Sequence, residues 1–240
     1  MAAISFGSIL LLLLSLSLAQ LLRWNPMWFG RSAGELPSSS EFFVFHEHDT
    51  LDDALFQHVG QLGDEFDAYR NHCLRVLSFA VHHLGGLRNV TNRQVNLMAL
   101  ALAYHDIALW TDGKLDYLDP SAALLLRDLR KNDKSGSVQD LQDADFVTLR
   151  EIVLQHHKLT TWTPPEGSQA DELLVNAVRK GDWADATIGM IRFGLPAAYL
   201  EKAYTELPEG GFHRILARMG GRLSPDSITE RLAVLNIFKL

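Results

Sequence analysis

The sequence predicts an all-α protein, a helical bundle preceded by one hydrophobic N-terminal helix. Apolar residues recur at spacings of three and four along much of the chain, for example from Thr50 to Val81. No run of alternating β-branched residues in the sequence is long enough to form a sheet. The chain has 240 residues, of which 47% are hydrophobic, and this is enough to bury the core of one substantial domain.

The first 23 residues form the predicted hydrophobic helix. Residues 1–22 carry no charged side chain, and an apolar stretch of about 19 residues is close to the length that spans a bilayer. We interpret residues 1–23 as a membrane anchor. Arg23 and Arg31 both follow the apolar stretch, so the positive-inside rule places the rest of the chain in the cytoplasm. Two alternatives stay open: a signal cleaved after Ser17-Leu18-Ala19, which would give a secreted protein, and a wrongly assigned start.

A linker is predicted over residues 24–41, where small and polar residues with Pro and Gly precede the helical domain of residues 42–240. Local signals place the helix ends within that domain. They indicate an end at His82-His83, starts at the capping box Thr91-Asn92-Arg93-Gln94 and at Asp119-Pro120 with Asp119 as N-cap, helices over Asp143 to His157 and Asp171 to Phe193, and starts at Pro196 and Ser224-Pro225.

The most informative feature is the adjacent pair His105-Asp106, in an apolar run that begins at Leu97. The run predicts that both side chains are buried in the middle of a helix. Burying an imidazole or a carboxylate is costly unless the group is compensated, and a divalent metal ion is the strongest compensator. His72 lies upstream and Asp182 downstream, each in a predicted helix. Two neutral imidazoles and two carboxylates are a ligand set that suits a divalent metal.

The order His72, His105-Asp106, Asp182 resembles the HD superfamily of metal-dependent phosphohydrolases, over about residues 66–190. The resemblance implies an HD-domain-like helical bundle in which these four residues hold one divalent ion, which could be Mn, Fe, Co, Ni, Zn or Mg. It also implies an enzyme that cleaves a phosphate ester or anhydride of a small molecule, such as a nucleotide, by metal-activated water.

Further residues are candidates for the chemistry. We expect Asp106 or Asp112 to act as general base, and His156 or His157 to contact the substrate phosphate or the leaving group. A second metal on the His156-His157 pair is the alternative, since some HD proteins hold two. Adjacent residues on a helix point about 100° apart, so we expect one of this pair to face away from the site.

Charged residues near the four ligand candidates are predicted to support them. We expect Arg75, Lys114 and Lys158 to contact an anionic substrate. We expect Arg70, Asn71 and Asp185 to orient the ligands through hydrogen bonds.

The overall charge limits the partners. A net charge of −7 and a pI near 5.8 argue against nucleic-acid binding, which needs a basic surface. Two other classes of function stay open. One is a different HD enzyme, either a dinuclear-iron oxygenase or a nitrile-hydratase-like enzyme. The other is a non-catalytic HD module that binds a ligand or signals.

Overall fold

The computed structural model describes residues 42–133 and 141–222, which belong to one compact unit, Ser38–Leu240. Their regular elements are all helices, and none of these residues lies in a strand, which confirms the all-α prediction for this part of the chain. The predicted anchor (1–23), the linker (24–41) and the helix start at Ser224-Pro225 lie outside the described residues. Within the described ranges, no helix is long and apolar enough to cross a membrane.

Within residues 42–133 and 141–222, ten α-helices and two short 3-10 turns follow one another. The helices are α1 (Asp49–Phe56), α2 (Val59–Leu62), α3 (Phe66–His83), α4 (Asn92–Tyr104), α5 (Ala108–Thr111), α6 (Leu118–Asp133), α7 (Asp143–Gln155), α8 (Glu172–Ala186), α9 (Ala197–Glu206) and α10 (Phe212–Arg222), and the 3-10 turns are Gly63–Glu65 and Leu87–Asn89. The stretch predicted as helical from Thr50 to Val81 is therefore interrupted. One break lies at Gly63, whose positive φ of 53° does not continue a helix.

Most predicted helix ends agree with the structure. Thr91 caps α4 in a reciprocal capping box with Gln94, and Pro196 occupies the N-cap of α9. Asp119, the predicted N-cap of α6, lies inside that helix, which already begins at Leu118. The helix predicted to run to Phe193 ends at Ala186.

That early end of α8 has a backbone cause. Ile188 and Gly189 both have positive φ, 50° and 77°, which turns the chain away from the helix axis. Phe193 lies beyond this turn and has a positive φ of its own, 47°.

The pair α3 and α8 forms the largest helix–helix contact of the described chain. Gly181 makes their close approach possible, because a Cβ atom at this position would lie 2.8 Å from the carbonyl oxygen of Val76 and 3.1 Å from the backbone nitrogen of Ala80. Helix α4 packs against α1, α3 and α7, so the bundle core lies between these elements. This arrangement brings one face of α3, the end of α4 and one face of α8 together.

Candidate metal centre

The four predicted ligands come from three elements that meet in the core. His72 lies in the middle of α3 and Asp182 in the second half of α8. His105 and Asp106 do not lie in the middle of a helix as predicted, because α4 ends at Tyr104 and His105 is its C-cap. Asp106 then lies in the turn that leads to α5. The backbone N–H of Asp106 donates to the hydroxyl of Tyr69 (3.1 Å), which pairs a buried backbone donor beyond the end of α4.

The side-chain atoms of these residues converge. His72 Nε2 lies 3.1 Å from His105 Nε2 and 3.4 Å from Asp182 Oδ1. His105 Nε2 lies 3.3 Å from Asp106 Oδ2 and 3.8 Å from Asp182 Oδ1. His72 Nε2 and Asp106 Oδ2 are 4.0 Å apart. All four side chains are at least nine-tenths buried. The structure thus brings all four predicted ligands together at one place.

Three of these five separations, 3.1 to 3.4 Å, match the edges of a coordination polyhedron, and the other two, 3.8 and 4.0 Å, are longer. With metal–ligand bonds of about 2.1 Å, neighbouring ligand atoms lie about 3.0 Å apart in an octahedron and about 3.4 Å apart in a tetrahedron. The group of His72, His105 and Asp106 could hold a metal ion by the mutual distances of its ligand atoms. Asp182 adds a fourth oxygen next to both imidazoles.

A hydrogen bond at the Nδ1 atom of each imidazole determines whether its Nε2 atom presents a lone pair to the centre. His72 Nδ1 lies 2.7 Å from Asp185 Oδ2, and His105 Nδ1 lies 2.7 Å from the carbonyl oxygen of Leu102. Carboxylate and carbonyl oxygens only accept, so each Nδ1 carries the proton and donates it. In the neutral imidazoles, both Nε2 atoms then present lone pairs toward each other and toward two carboxylates. A cluster of acceptors needs a cation between its members. A hydrogen bond from Nδ1 to an oxygen is also typical of histidines that bind metal through Nε2.

A second group of ligand atoms shares Asp106. His156 Nε2 lies 3.3 Å and His157 Nε2 3.9 Å from Asp106 Oδ1, and these three residues could also hold a metal ion. Asp106 Oδ1 and His156 Nε2 are both buried without a hydrogen-bond partner among the described residues. Since His156 Nδ1 donates to the carbonyl oxygen of Val153 (2.7 Å), its Nε2 is a further lone pair that faces a carboxylate.

The prediction that one histidine of the pair faces away is wrong. Helix α7 ends at Gln155, and His156 is its C-cap, so the helical rotation of about 100° per residue no longer applies to His157. The two rings lie edge to face with centroids 4.0 Å apart, both next to Asp106.

Charges at the centre shift the pKa values of its groups. Burial lowers the pKa of His72, but hydrogen bonds to Asp182 and Asp185 outweigh this and raise it above its ordinary value. Burial also lowers the pKa of His105, yet the charge of Asp106 and a hydrogen bond to Asp182 raise it well above the ordinary value. Without a metal, these two imidazoles therefore bind a proton more strongly than a free histidine does, and a metal competes with that proton.

The carboxylates and His156 shift in the opposite direction. Burial raises the pKa of Asp106 and of Asp182, but the neighbouring histidines, His105 first, hold both well below the usual range. For His156, burial and then the charge of His157 lower the pKa to about 4. Both carboxylates are therefore ionised and His156 is neutral at physiological pH, which is the state that metal ligation requires.

Asp185 and Arg75 support His72 from behind. The guanidinium of Arg75 donates to both oxygens of Asp185, at 2.6 and 2.8 Å, and to the carbonyl oxygen of Leu207 at 3.0 Å. Arg75 and Asp185 are both fully buried. The predicted role of Asp185 as an orienting residue agrees with this geometry. The predicted role of Arg75 as a substrate contact does not, because its donors are directed at Asp185 and a backbone carbonyl.

Arg70 and Asn71 lie away from the centre. Arg70 pairs with Asp52 (2.6 Å), and Asn71 donates to the carbonyl oxygen of Pro208 (3.0 Å). They precede His72 directly in α3, so the helical rotation turns both side chains from the face that His72 occupies. Among the described residues, neither contacts a ligand candidate, and this is contrary to the orienting role predicted for them.

Asp112, Lys114 and Lys158 lie at the periphery. Asp112 and Lys114 are exposed in the turn after α5, and Asp112 accepts from the hydroxyl of Thr111 (3.0 Å). Lys158 is half-buried directly after His157. In the described part of the chain, none of these three side chains forms a hydrogen bond or ion pair with the ligand candidates, and their predicted roles toward a substrate remain predictions.

Three aromatic residues at the centre were not predicted from the sequence. Tyr69 places its hydroxyl on the backbone of Asp106, and Phe212 stacks on the ring of His72 with centroids 4.0 Å apart. The Tyr117 hydroxyl lies 2.7 Å from His157 Nε2. Tyr69 lies one turn before His72, which is a usable signal. The other two come from distant segments, and the sequence around them gives no such signal.

The chain was compared with protein-family models, with curated proteins and with solved structures, and none of them matches it. The helical architecture and the His/Asp cluster are thus established by the geometry alone and are compatible with an HD-like metal site.

Proposed function

We propose that this chain is a metal-dependent hydrolase of the HD type, in which one divalent ion is held by His72, His105, Asp106 and Asp182. The observation that carries the proposal is the convergence of four buried acceptor atoms, with the outer nitrogen of each imidazole held by a hydrogen bond. The residues fit the group, since the Nε2 atoms of His72 and His105 lie 3.1 Å from each other and 3.3 to 4.0 Å from the carboxylate oxygens of Asp106 and Asp182.

The proposed substrate is a small phosphorylated molecule such as a nucleotide, cleaved at a phosphate ester or anhydride. The chemistry supplied by a bound divalent ion is Lewis acidity toward a phosphoryl oxygen and a lowered pKa for water. The substrate class comes from the resemblance of the His, His-Asp, Asp order to HD phosphohydrolases, because a fold and a metal site do not by themselves fix a reaction.

The chain's own residues supply the remaining functions. Asp106 Oδ1 is the ionised acceptor nearest to His156 and serves as general base toward water. His156 and His157 face Oδ1 of Asp106, whereas His72 faces Oδ2. From there the histidine pair contacts the phosphate or the leaving group. Asp185 keeps the Nε2 lone pair of His72 directed inward through its 2.7 Å bond to Nδ1.

A dinuclear enzyme is the second candidate. The group formed by Asp106, His156 and His157 favours it, because both histidines face the Oδ1 atom that the first group leaves free. Two irons in this arrangement would suit an HD oxygenase, whereas hydrolysis of a phosphate is served by one ion or by two.

Metal analysis of the full chain tests the proposal. We expect about one equivalent of divalent metal in the wild type and in Asp112→Ala, a control that removes an exposed carboxylate six positions from Asp106. In Asp106→Ala we expect the metal to be lost while circular dichroism shows the helices intact. Release of phosphate from nucleotides should follow the metal content.

The other outcomes discriminate among the functions. Near two equivalents of iron would favour the oxygenase. One equivalent without phosphatase activity would favour a nitrile-hydrating enzyme or a non-catalytic module. A wild-type chain that binds no divalent metal after reconstitution overturns the proposal.

A further inference from the structure

Tyr117 is a buried residue that borders the second ligand group without belonging to it. It directly precedes α6 and is only 3% exposed. Its hydroxyl oxygen lies 2.7 Å from Nε2 of His157, and the two rings pack edge to face with centroids 5.8 Å apart. Hydrogen bonds are directional, so this one fixes the position of the imidazole. It also engages the Nε2 atom.

Nε2 of His157 cannot form the hydrogen bond with Tyr117 and bind a metal ion at the same time. If the Tyr117 hydroxyl donates to it, the lone pair is taken by that bond. If Nε2 instead carries the proton and donates to the phenol oxygen, it has no lone pair to offer a metal. In both arrangements His157 is withheld from ligation, although its Nε2 lies only 3.9 Å from Asp106 Oδ1. His156 differs, because its Nε2 faces Asp106 with no partner among the described residues.

Helix α8 holds the backbone around His157. The indole N–H of Trp183 donates to the carbonyl oxygen of His157 (3.1 Å), and Arg179 donates to the carbonyl oxygens of Lys158 and Leu159 (3.0 Å each). Trp183 and Arg179 flank Asp182 on the same helix. The segment that carries His157 is therefore fixed to the element that carries a ligand candidate, and its ring stays within reach of Tyr117.

We propose that Tyr117 is a positioning residue that keeps Nε2 of His157 from binding metal, so that the centre takes one divalent ion tightly and a second only weakly. The proposal rests on the proposed function and deepens it, since it names the residue that decides between one metal and two.

Titration of the full chain with Mn²⁺ tests the proposal, with free Mn²⁺ followed by electron paramagnetic resonance. We expect one tight binding event in the wild type and a second, weaker one. Tyr117→Phe should tighten the second event about fivefold, the effect of one neutral hydrogen bond, and leave the first unchanged. The matched control is Tyr199→Phe, which removes another buried phenol hydroxyl, bonded to the carbonyl oxygen of Ser78 (3.0 Å). It should change neither event.

His157→Gln provides a second test that does not depend on the folding of Tyr117→Phe. The tight event should persist in His157→Gln, and the tightening caused by Tyr117→Phe should vanish in the double variant. The proposal is overturned if Tyr117→Phe leaves the second event unchanged, weakened or undetectable, or if His157→Gln loses the tight event. Absence of the tight event in the wild type instead overturns the metal site itself, and the inference with it.

Discussion

Each of the three histidines His72, His105 and His156 has its Nδ1 atom on a fixed oxygen and its Nε2 atom directed into the centre. The oxygens are one carboxylate and two backbone carbonyls, so the proton is placed by groups that cannot donate. The two carbonyls come from residues three positions earlier in the chain, which makes those tautomers a local property of a helix end. For His72 the partner is Asp185, more than a hundred residues later, and that tautomer depends on the packing of α3 against α8.

Asp185→Asn tests this dependence. We expect the substitution to weaken metal binding by about 10–100-fold, because the amide no longer enforces a donor at Nδ1 of His72 and leaves the charge of Arg75 unpaired. Asp128→Asn changes another buried carboxylate, which lies 3.5 Å from His58 Nε2, and should leave the metal affinity unchanged. Calorimetric titration with Mn²⁺ measures both. Equal affinities in the wild type and Asp185→Asn would show that Asp185 does not orient the ligand.

His83 gives a pH dependence that is independent of the metal. Its Nε2 atom is buried without a partner in the described chain, and burial, followed by the charges of Lys180, His82 and Arg179, lowers its pKa from 6.5 to about 4. Between pH 6.5 and about pH 4, His83 is protonated in the unfolded chain and neutral in the folded chain. The contribution of neutral His83 to stability is therefore fully present above pH 6.5 and is lost as the pH falls toward 4.

Urea denaturation of the wild type and of His83→Gln measures this contribution. From pH 7 to pH 5 we expect the wild type to lose on the order of 1 kcal/mol more stability than the variant, a value that allows for partial solvent screening. The difference between the two proteins cancels the titration of all other groups. A difference that does not change with pH would mean that His83 titrates alike in the folded and unfolded states.

At the scale of helices, the centre depends on where helices end and how closely they approach. His105, Asp106, His156 and His157 all lie at or just beyond a helix C-terminus, whereas His72 and Asp182 lie inside helices that cross closely. Gly181 permits that crossing, because its missing side chain leaves room for the backbone of Val76 and Ala80.

Gly181→Ala should therefore weaken both the fold and the metal site. A methyl group here meets backbone atoms, which cannot rotate away, and such overpacking costs about 1–3 kcal/mol. Alanine gains about 1 kcal/mol in helix propensity, so we expect a net loss of about 1 kcal/mol in the free energy of unfolding. Since Asp182 is the next residue, its shift away from His72 should also lower the Mn²⁺ affinity.

Gly60→Ala is the matched control, since Gly60 lies in α2 and a Cβ atom there meets nothing within 4 Å. It should keep or slightly raise the stability and leave Mn²⁺ binding unchanged. Chemical denaturation and metal titration of the two variants separate crowding from helix propensity. If Gly181→Ala is as stable and binds as tightly as Gly60→Ala, close approach at Gly181 is not needed.

The sequence carries information about some of these features and not about others. The capping box at Thr91 and the cap at Pro196 are local signals, and the structure has both. The order His72, His105-Asp106, Asp182 indicates the ligand candidates because buried charged groups are rare in apolar helices. The orientation of His157 could not be predicted, because it depends on the exact residue at which α7 ends. Tyr117, Phe212 and the pairing of Arg75 with Asp185 depend on contacts between distant segments, which periodicity does not reveal.

At the scale of the whole molecule, the centre places a cluster of ionised carboxylates and imidazoles inside an apolar core. Against the effect of burial, hydrogen bonds to Asp182 and Asp185 raise the pKa of His72. The charge of Asp106 and a hydrogen bond to Asp182 likewise raise the pKa of His105. A histidine with a raised pKa in the folded state contributes stability that is fully present below its unfolded pKa of 6.5. That stability is lost as the pH rises through the raised value.

A bound metal replaces these protons, so its stabilising effect should grow with pH. Each displaced proton changes the apparent affinity up to tenfold per pH unit, which corresponds to about 1.4 kcal/mol of added stability at saturating metal. We expect the increase in unfolding free energy on adding Mn²⁺ to be larger at about pH 8 than at about pH 6.

Urea denaturation with and without Mn²⁺ measures this, and calorimetry in two buffers of different ionisation enthalpy counts the protons released. Asp106→Ala should show neither the stabilisation nor the release. A stabilisation by Mn²⁺ that is independent of pH would contradict the view that metal and protons compete for the same nitrogen lone pairs. The cluster of hydrogen-bond acceptors at the centre would then need another compensating charge.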